Sequence, residues 1–181
     1  MDDLQRLVRF IKPTTEGRYP VRYDFASCNY LALHYTPSLI GTKLLSSRLP
    51  VDSVDLWIKD EEVQEAAEEF LKSAGPLYYV RCGVLGLKQS TVDTLIDKFV
   101  PVDEGCFYMG GATRLTRAQL EKLVLKCEFS EKKAALALHL EGVTDSSKVT
   151  DFFDFEKYYG KKEVQEGELA ATRGGQSWNC V

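Results

Sequence analysis

Cysteine and histidine are the residue types through which this chain could carry out nucleophilic catalysis. Its 181 residues include five cysteines and two histidines, His34 and His139. A histidine can deprotonate a neighbouring cysteine, and the thiolate that forms attacks acyl groups. Four of the cysteines lie in the patterned part of the chain: Cys28, Cys82, Cys106 and Cys127. However, Cys82 falls at an inward position of a predicted strand and Cys127 on the apolar side of a predicted helix, where inert buried thiols are expected.

Carboxylate pairs, metal ligands and phosphate-binding loops give no stronger signal. Acidic residues stand close together at 60–62, 103–104 and 151–154, but each group falls in a predicted turn or helix without other polar residues placed for acid–base catalysis. The cysteines form no C-x-x-C pair and the histidines are isolated, so the spacing of a metal site is missing. The G-x-G-x-x-G and GK[ST] patterns are also missing. The sequence therefore predicts no catalytic residue, no metal and no cofactor.

Charge and hydropathy restrict the partners that the chain can bind. The net charge is −4 and the pI is about 5.3, whereas nucleic-acid binding needs a basic face that displaces counterions from phosphates. No apolar run approaches the roughly 20 residues that cross a bilayer, and the acidic start at Met1 is not that of a secretory signal. We expect no nucleic acid, no membrane attachment and an intracellular location, cytoplasmic or nuclear.

Five short strand patterns, each followed by a helical pattern, would have to position any functional residue. The strand patterns lie at 30–34, 53–58, 78–82, 106–109 and 136–140. The clearest helical pattern occupies 60–73, where apolar residues recur at the spacing of one helix side. Residues suited to N-caps precede the helices at Asp60, Ser90, Thr116 and Ser146 or Ser147. The helical pattern at 39–49 is weaker.

Aligning the strand patterns places one inward residue of each in a single column. The column is Leu31, Val54, Val80, Tyr108 and Leu138, at separations of 23, 26, 28 and 30 residues. Separations this long, each with one helix, fit parallel strands joined by crossovers and do not fit hairpins. The sequence predicts an α/β fold, a short solenoid of about five strand-helix repeats with a curved parallel sheet. The alternative is an open doubly wound α/β sheet, in which the strand order would not be sequential.

The two ends of the chain depart from this pattern. Residues 1–27 are expected to form an N-terminal helix, over 2–12, and a cap on the first repeat. The repeat domain is expected over 28–160. Residues 161–181 are polar and lack periodicity, so they are expected to be a flexible C-terminal tail.

Two segments have the spacing of a leucine-rich repeat. They are Leu77-x-x-Val80-x-Cys82-x-x-Leu85-x-Leu87 and Ala135-x-x-Leu138-x-Leu140-x-x-Val143. Over roughly 28–155 the chain resembles the leucine-rich repeat superfamily, whose unit pairs a short parallel strand with a helix. It departs from that family because no asparagine or cysteine follows the strands at the usual place, so no regular asparagine ladder is expected. The stretch at 49–58 also resembles the divergent repeats of nematode F-box-associated proteins, although no complete F-box precedes it.

The outward positions of the predicted strands carry the residue types that are enriched in protein interfaces, aromatic residues and arginine above all. The predicted partner-binding residues are Tyr30, His34, Asp55, Trp57, Tyr79, Arg81, Phe107, Met109 and His139. They predict a protein–protein interaction module or adaptor that binds a protein partner on the concave sheet face. One alternative is a small α/β enzyme with its site at the carboxyl ends of the strands, lined by Gly83, Gly86, Gly110 and Gly111. Another is a structural protein that forms homo-oligomers through the same face.

Overall fold

The structure is a computed structural model that describes residues 24, 26, 28–144, 147, 149–154, 157, 161–165, 168–173 and 176–180. The chain divides into two compact units, Met1–Leu140 and Glu141–Val181. The boundary therefore falls earlier than the end of the repeat domain predicted at 160. The predicted N-terminal helix at 2–12 lies outside the described residues, as does most of the predicted segment 1–27.

The first unit is a five-stranded parallel sheet whose strands alternate with helices. Its strands are β1 (Tyr30–His34), β2 (Ser53–Ile58), β3 (Tyr79–Val84), β4 (Cys106–Met109) and β5 (Ala135–Leu138), hydrogen-bonded in the order β1-β2-β3-β4-β5. The helices between them are α1 (Ser38–Ser46), α2 (Glu61–Ser73), α3 (Gln89–Lys98) and α4 (Arg117–Ser130). The predicted α/β chain of five parallel strands and alternating helices is confirmed. The strand order in a doubly wound sheet would not be sequential, so the observed order distinguishes this sheet from that alternative.

Alternation along the strands divides the sheet into a buried side and an outer side. In β3, Val80, Cys82 and Val84 are buried, whereas the residues between them are half-buried. The helices turn their buried residues to the same layer, for example Val92, Leu95 and Ile96 of α3. These apolar residues make the core between the sheet and the helices. The other side of the sheet is not covered by α1–α4.

The register of β4 corrects the sequence prediction. Phe107 pairs with Val80 and Met109 with Cys82, so both lie in the inward columns and are fully buried. Phe107 packs edge-to-face on Phe99, the residue that follows α3, with ring centroids 5.2 Å apart. The prediction that Phe107 and Met109 face a partner is therefore wrong, and Tyr108, which was predicted to point inward, lies on the outer side.

The register of β5 is shifted by two residues from the prediction. Leu136 pairs with Phe107 and Leu138 with Met109, so Ala137, not His139, occupies the central outward position. His139 is exposed beyond the end of the strand, and its carbonyl accepts a hydrogen bond from the amide of Leu115. A shift by two leaves every side chain on its predicted side but moves it along the strand.

Two of the predicted N-caps are confirmed in the described helices. The Asp60 carboxylate accepts from the amides of Glu62 and Val63, and Thr116 forms a capping box with Gln119. Ser90 is not a cap, because α3 begins at Gln89 and its N-cap position is occupied by Lys88.

The start of α3 is capped by a residue of the preceding helix instead. The buried carboxylate of Glu68 in α2 accepts from the Lys88 amide at 3.3 Å and from the Thr91 hydroxyl at 3.1 Å. A carboxylate in this place also complements the positive end of the helix dipole. Glu68 thus joins two consecutive strand–helix units.

Lysine side chains join the other ends of the helices in the same way. The Lys98 ammonium donates to the carbonyls of Leu71, Lys72 and Ala74 at the end of α2. The Lys126 ammonium donates to two carbonyls at the end of α3. Burial lowers the pKa of both lysines. These contacts satisfy carbonyls that have no partner within their own helix.

The second unit contains a short helix, α5 (Val149–Phe152), and three strands, β6 (Lys161–Gln165), β7 (Glu168–Arg173) and β8 (Gln176–Cys180). The strands form an antiparallel sheet in the order β6-β7-β8. The segment predicted as a flexible tail, 161–181, thus contains three strands, and its flexibility stays a prediction.

Replacing Glu68 by alanine tests the link between α2 and α3. The change leaves the Lys88 amide and the Thr91 hydroxyl without their acceptor, so we expect the free energy of unfolding to fall by about 2 kcal/mol. Glu69→Ala is the matched control, because the neighbouring Glu69 is exposed and pairs with Lys72 on the surface, where such a pair contributes at most about 1 kcal/mol. Urea unfolding of the two variants gives the difference. Equal losses would contradict the capping role of Glu68.

Candidate functional site

Aromatic and charged side chains cover the outer side of β1–β4, and we call this surface the aromatic face. It comprises Tyr30, His34, Asp55, Trp57, Tyr79, Arg81 and Tyr108. The strand register places Asp55 opposite Arg81, and Arg81 opposite Tyr108. The face therefore has a central row of three side chains that runs across the strands.

The Asp55 carboxylate is the centre of the face and is buried beneath its neighbours, with its side chain 3% exposed. Four side chains meet its two oxygens. Oδ1 accepts from the indole Nε1 of Trp57 at 2.6 Å, and Oδ2 accepts from the Tyr30 hydroxyl at 3.0 Å. Oδ2 also accepts from Arg81 Nη1 at 3.3 Å and lies 3.2 Å from His34 Nε2. One carboxylate thus holds side chains from β1, β2 and β3 in place.

Arg81 is fixed further by two rings. Its guanidinium carbon lies 5.8 Å from the Trp57 ring centroid and 5.6 Å from that of Tyr108. The two ring centroids are themselves 5.8 Å apart. At these distances the aromatic faces attract the cation, and the Arg81 side chain still remains 37% exposed.

Glycines make room for these rings on the sheet surface. A Cβ at Gly83 would overlap the indole of Trp57, and one at Gly110 would lie 2.7 Å from the Tyr108 hydroxyl. The rings can lie flat across the strands only because both positions lack a side chain. Gly83 and Gly110 therefore support the aromatic face, whereas the enzyme alternative would have them line a pocket.

A second aromatic pair lies at the amino ends of the strands. Tyr30 and Tyr79 meet edge-to-face, with ring centroids 6.1 Å apart. Ser53 lies between them in the register and is fully buried, and its hydroxyl donates to Asp52. The small residue on the central strand lets the two tyrosines approach each other.

Proton affinities on the face follow from this geometry. Burial and then the hydrogen bond to Asp55 raise the pKa of the Tyr30 phenol from 10.0 to about 12. Partial burial by itself would lower the pKa of Arg81, but the Asp55 carboxylate and, after it, Tyr79 together outweigh burial and raise that pKa above its ordinary value. Both shifts favour the protonated forms of Tyr30 and Arg81 on the aromatic face.

The structure brings six of the nine predicted partner-binding residues together: Tyr30, His34, Asp55, Trp57, Tyr79 and Arg81. Phe107 and Met109 lie in the core, and His139 is exposed past β5. Sequence reasoning missed Tyr108. Gly110, two residues after it, was a usable signal, because a glycine on the outer side of a strand can mark the place where a large side chain lies on the sheet.

The thiols of Cys82, Cys106 and Cys127 are poorly placed for nucleophilic catalysis. Burial raises the pKa of Cys82 and of Cys127 to about 12, and also raises that of Cys106. Cys106 and His34 both point to the outer side of the sheet, but they lie on β4 and β1 and at opposite strand ends. The described cysteines 28, 82, 106 and 127 form no disulfide.

The described residues contain neither a cluster of metal ligands nor a helix that could cross a membrane. They contain no group of three or more histidine, cysteine, aspartate or glutamate side chains that could hold a metal ion. Among them, no helix has both the length and the apolar composition that crossing a membrane requires.

Comparison of the chain with models of protein families, with curated proteins and with solved structures finds no match.

Replacing Asp55 by asparagine tests whether the carboxylate holds the face together. The amide keeps the shape but has a single acceptor oxygen and presents N–H groups to donors. We expect the free energy of unfolding to fall by about 2–3 kcal/mol. Asp97→Asn is the control, because Asp97 forms an exposed ion pair with Lys122, and its loss should cost less than about 1 kcal/mol. Similar values for the two variants in chemical denaturation would rule out the central role of Asp55.

An alkaline titration tests the hydrogen bond between Tyr30 and Asp55. The folded protein raises the phenol pKa of Tyr30 from 10.0 to about 12. The contribution of this hydrogen bond to the free energy of unfolding should therefore be complete below pH 10 and be lost as the pH rises through about 12. An ultraviolet difference titration of the native chain against Tyr30→Phe should show one phenol that ionises near 12. If the phenol that Tyr30→Phe lacks ionises near 10 in the native chain, the hydrogen bond is contradicted.

Proposed function

We propose that this chain is a short solenoid, similar to a leucine-rich repeat protein, that binds a protein partner through the aromatic face. The observation that supports the proposal best is that this face carries Trp57, Tyr79 and Arg81 in half-buried positions around a buried carboxylate. Tryptophan, tyrosine and arginine are the residues that most often dominate binding energy in protein interfaces. The chain would act as an interaction module or adaptor.

Preorganisation of the face favours binding over a merely structural role for these side chains. Ordering a long side chain at an interface costs on the order of 1 kcal/mol. Arg81 is already fixed by Asp55, Trp57 and Tyr108, so most of this cost falls on folding and little on binding. A partner would meet a surface whose shape exists before it arrives.

The repeat character of the proposal is supported by positions that recur from one unit to the next. The inward column formed by the register is Leu31, Val54, Val80, Phe107 and Leu136. Each helix lies between two strands that are neighbours in the sheet, and Glu68 and Lys98 join consecutive units. Nearest-neighbour contacts of this kind are typical of solenoid proteins, which use their extended strand surfaces for binding.

Alanine variants of the aromatic face test the proposed function. Trp57→Ala and Tyr79→Ala each remove a large contact surface, so a cell-extract protein that co-purifies with the native chain should be recovered at least about tenfold less. Phe129→Ala is the control, because this aromatic residue of α4 is 71% exposed in the helix layer. The readout is quantitative mass spectrometry of the co-purified proteins, with circular dichroism to verify folding. Equal recovery with all three variants would contradict the proposal.

Glycine variants test the same surface without deleting any of its aromatic side chains. In Gly83→Ala the new methyl group must displace the Trp57 ring, so recovery of the partner should fall. In Gly86→Ala the added Cβ meets nothing within 4 Å, so recovery should be retained. Light scattering on the native chain identifies the remaining alternative. A dimer that Gly83→Ala dissociates would show that the face binds a second copy of the chain and not a different protein.

A further inference from the structure

Cationic side chains lie on and beside the aromatic face, although the chain as a whole has a net charge of −4. Arg81 lies within the face, Lys59 directly follows β2, and Arg114 follows β4. The exposed acidic residues of the second strand–helix repeat lie on α2 in the helix layer: Glu61, Glu62, Glu65 and Glu69. These glutamates therefore lie on a different layer from Arg81.

Carboxylates near these cations are already engaged. Asp55 is buried and shared among four side chains, and Asp60 accepts from the amides of Glu62 and Val63 as the cap of α2. Asp55 is out of reach of a partner, whereas Asp60 is exposed and uses its Oδ1 for the helix cap.

Lys59 forms one wall of a recess beside Trp57. Its ammonium lies 4.8 Å from the ring centroid of Tyr35, and Tyr35, Trp57 and Lys59 border a recess of about 260 Å³ at the carboxyl ends of β1 and β2. Leu33, Thr36, Ile58, Asp60 and Val63 also line it. The recess thus combines apolar side chains with one cation, Lys59, and one carboxylate, Asp60, whose Oδ1 accepts from two amides at the start of α2.

Arg81 and Arg114 are two further cations, one within the aromatic face and one in the segment that follows β4. The Arg114 guanidinium donates to the carbonyl of Gly111 at 2.8 Å, next to Gly110, on which the Tyr108 ring lies. Arg81 uses Nη1 for Asp55, and a guanidinium has five N–H donors in a planar fork. That fork matches the two oxygens of a carboxylate.

We propose that the partner of the aromatic face presents an acidic peptide segment in which aspartate or glutamate stands beside an aromatic or large aliphatic residue. This inference rests on the proposed function and adds the chemistry of the partner. The apolar side chain would contact Trp57 and Tyr108 or enter the recess, and the carboxylate would meet Arg81 or Lys59. Arg114 would add attraction at the edge of the face.

Selection from a peptide library tests the inference with a defined probe. Phage-displayed random peptides are selected on the full-length chain, and an enriched sequence is synthesised together with a version in which Asp and Glu are replaced by Asn and Gln. We expect acidic residues beside aromatic or aliphatic ones to be enriched. The amide version should bind about tenfold more weakly by calorimetry, because charge-assisted hydrogen bonds are lost. The affinity of the acidic peptide should also fall as salt is added.

Charge variants identify the cations that the peptide meets. Lys59→Met and Arg81→Met each remove a charge but keep an unbranched apolar stem, so each should weaken binding of the acidic peptide about tenfold. Lys122→Met is the matched control, because this lysine of α4 forms a surface pair with Asp97 in the helix layer. Lys59 serves as the cleaner test of the two, since Arg81 also pairs with Asp55 and its loss affects the fold.

The outcomes separate this inference from the proposed function. Acidic peptides that lose affinity with Lys59→Met, but not with Lys122→Met, support it. Selected peptides that depend on Trp57 and Tyr79, yet show no acidic enrichment and bind Lys59→Met normally, overturn it and leave the proposed function standing. If no selected peptide depends on Trp57 or Tyr79, both proposals fail.

Discussion

The buried carboxylate of Asp55 is the interaction on which the outer side of the sheet depends. A charge removed from water is costly unless donors replace its hydration shell. The donors here come from three strands: Tyr30 from β1, Trp57 from β2 and Arg81 from β3. Because each donor is large and partly exposed, satisfying the carboxylate also determines the shape of the surface. One electrostatic requirement therefore connects the pairing of β1, β2 and β3 with the proposed binding function.

The same arrangement explains why the sheet tolerates polar residues at its centre. β2 is the middle strand of the first three and is buried on both sides, including Ser53 and Asp55. Its inward side meets the helices, and its outer side is covered by side chains that lean in from β1 and β3. Gly83 allows Trp57 to lean the other way, across β3. A fully satisfied polar network of this kind specifies one arrangement of side chains, where an apolar surface would permit several.

Sequence patterns were sufficient for the order of elements and for the first three strands, and they failed where apolar residues are continuous. β1, β2 and β3 alternate clearly, so Tyr30, Asp55 and Arg81 could be placed on the outer side. The four residues of β4, Cys106–Met109, are all apolar or aromatic, and alternation cannot decide which of them face the core. Phe107 packs on Phe99 in the core, and that contact, made across the loop between α3 and β4, is not visible in the residues of β4 alone. The convergence of four side chains on Asp55 was likewise invisible, because hydrogen bonds between strands depend on register and rotamers.

The central claim is that Asp55 holds the aromatic face in one arrangement before any partner binds. The most direct measurement is the NMR order parameter of the Trp57 indole N–H, which donates to Asp55 Oδ1 at 2.6 Å. In the native chain it should be about 0.85, the value of rigid backbone, and in Asp55→Ala it should fall below about 0.6. A value below about 0.6 in the native chain would contradict the account, because the ring would then be mobile despite the carboxylate.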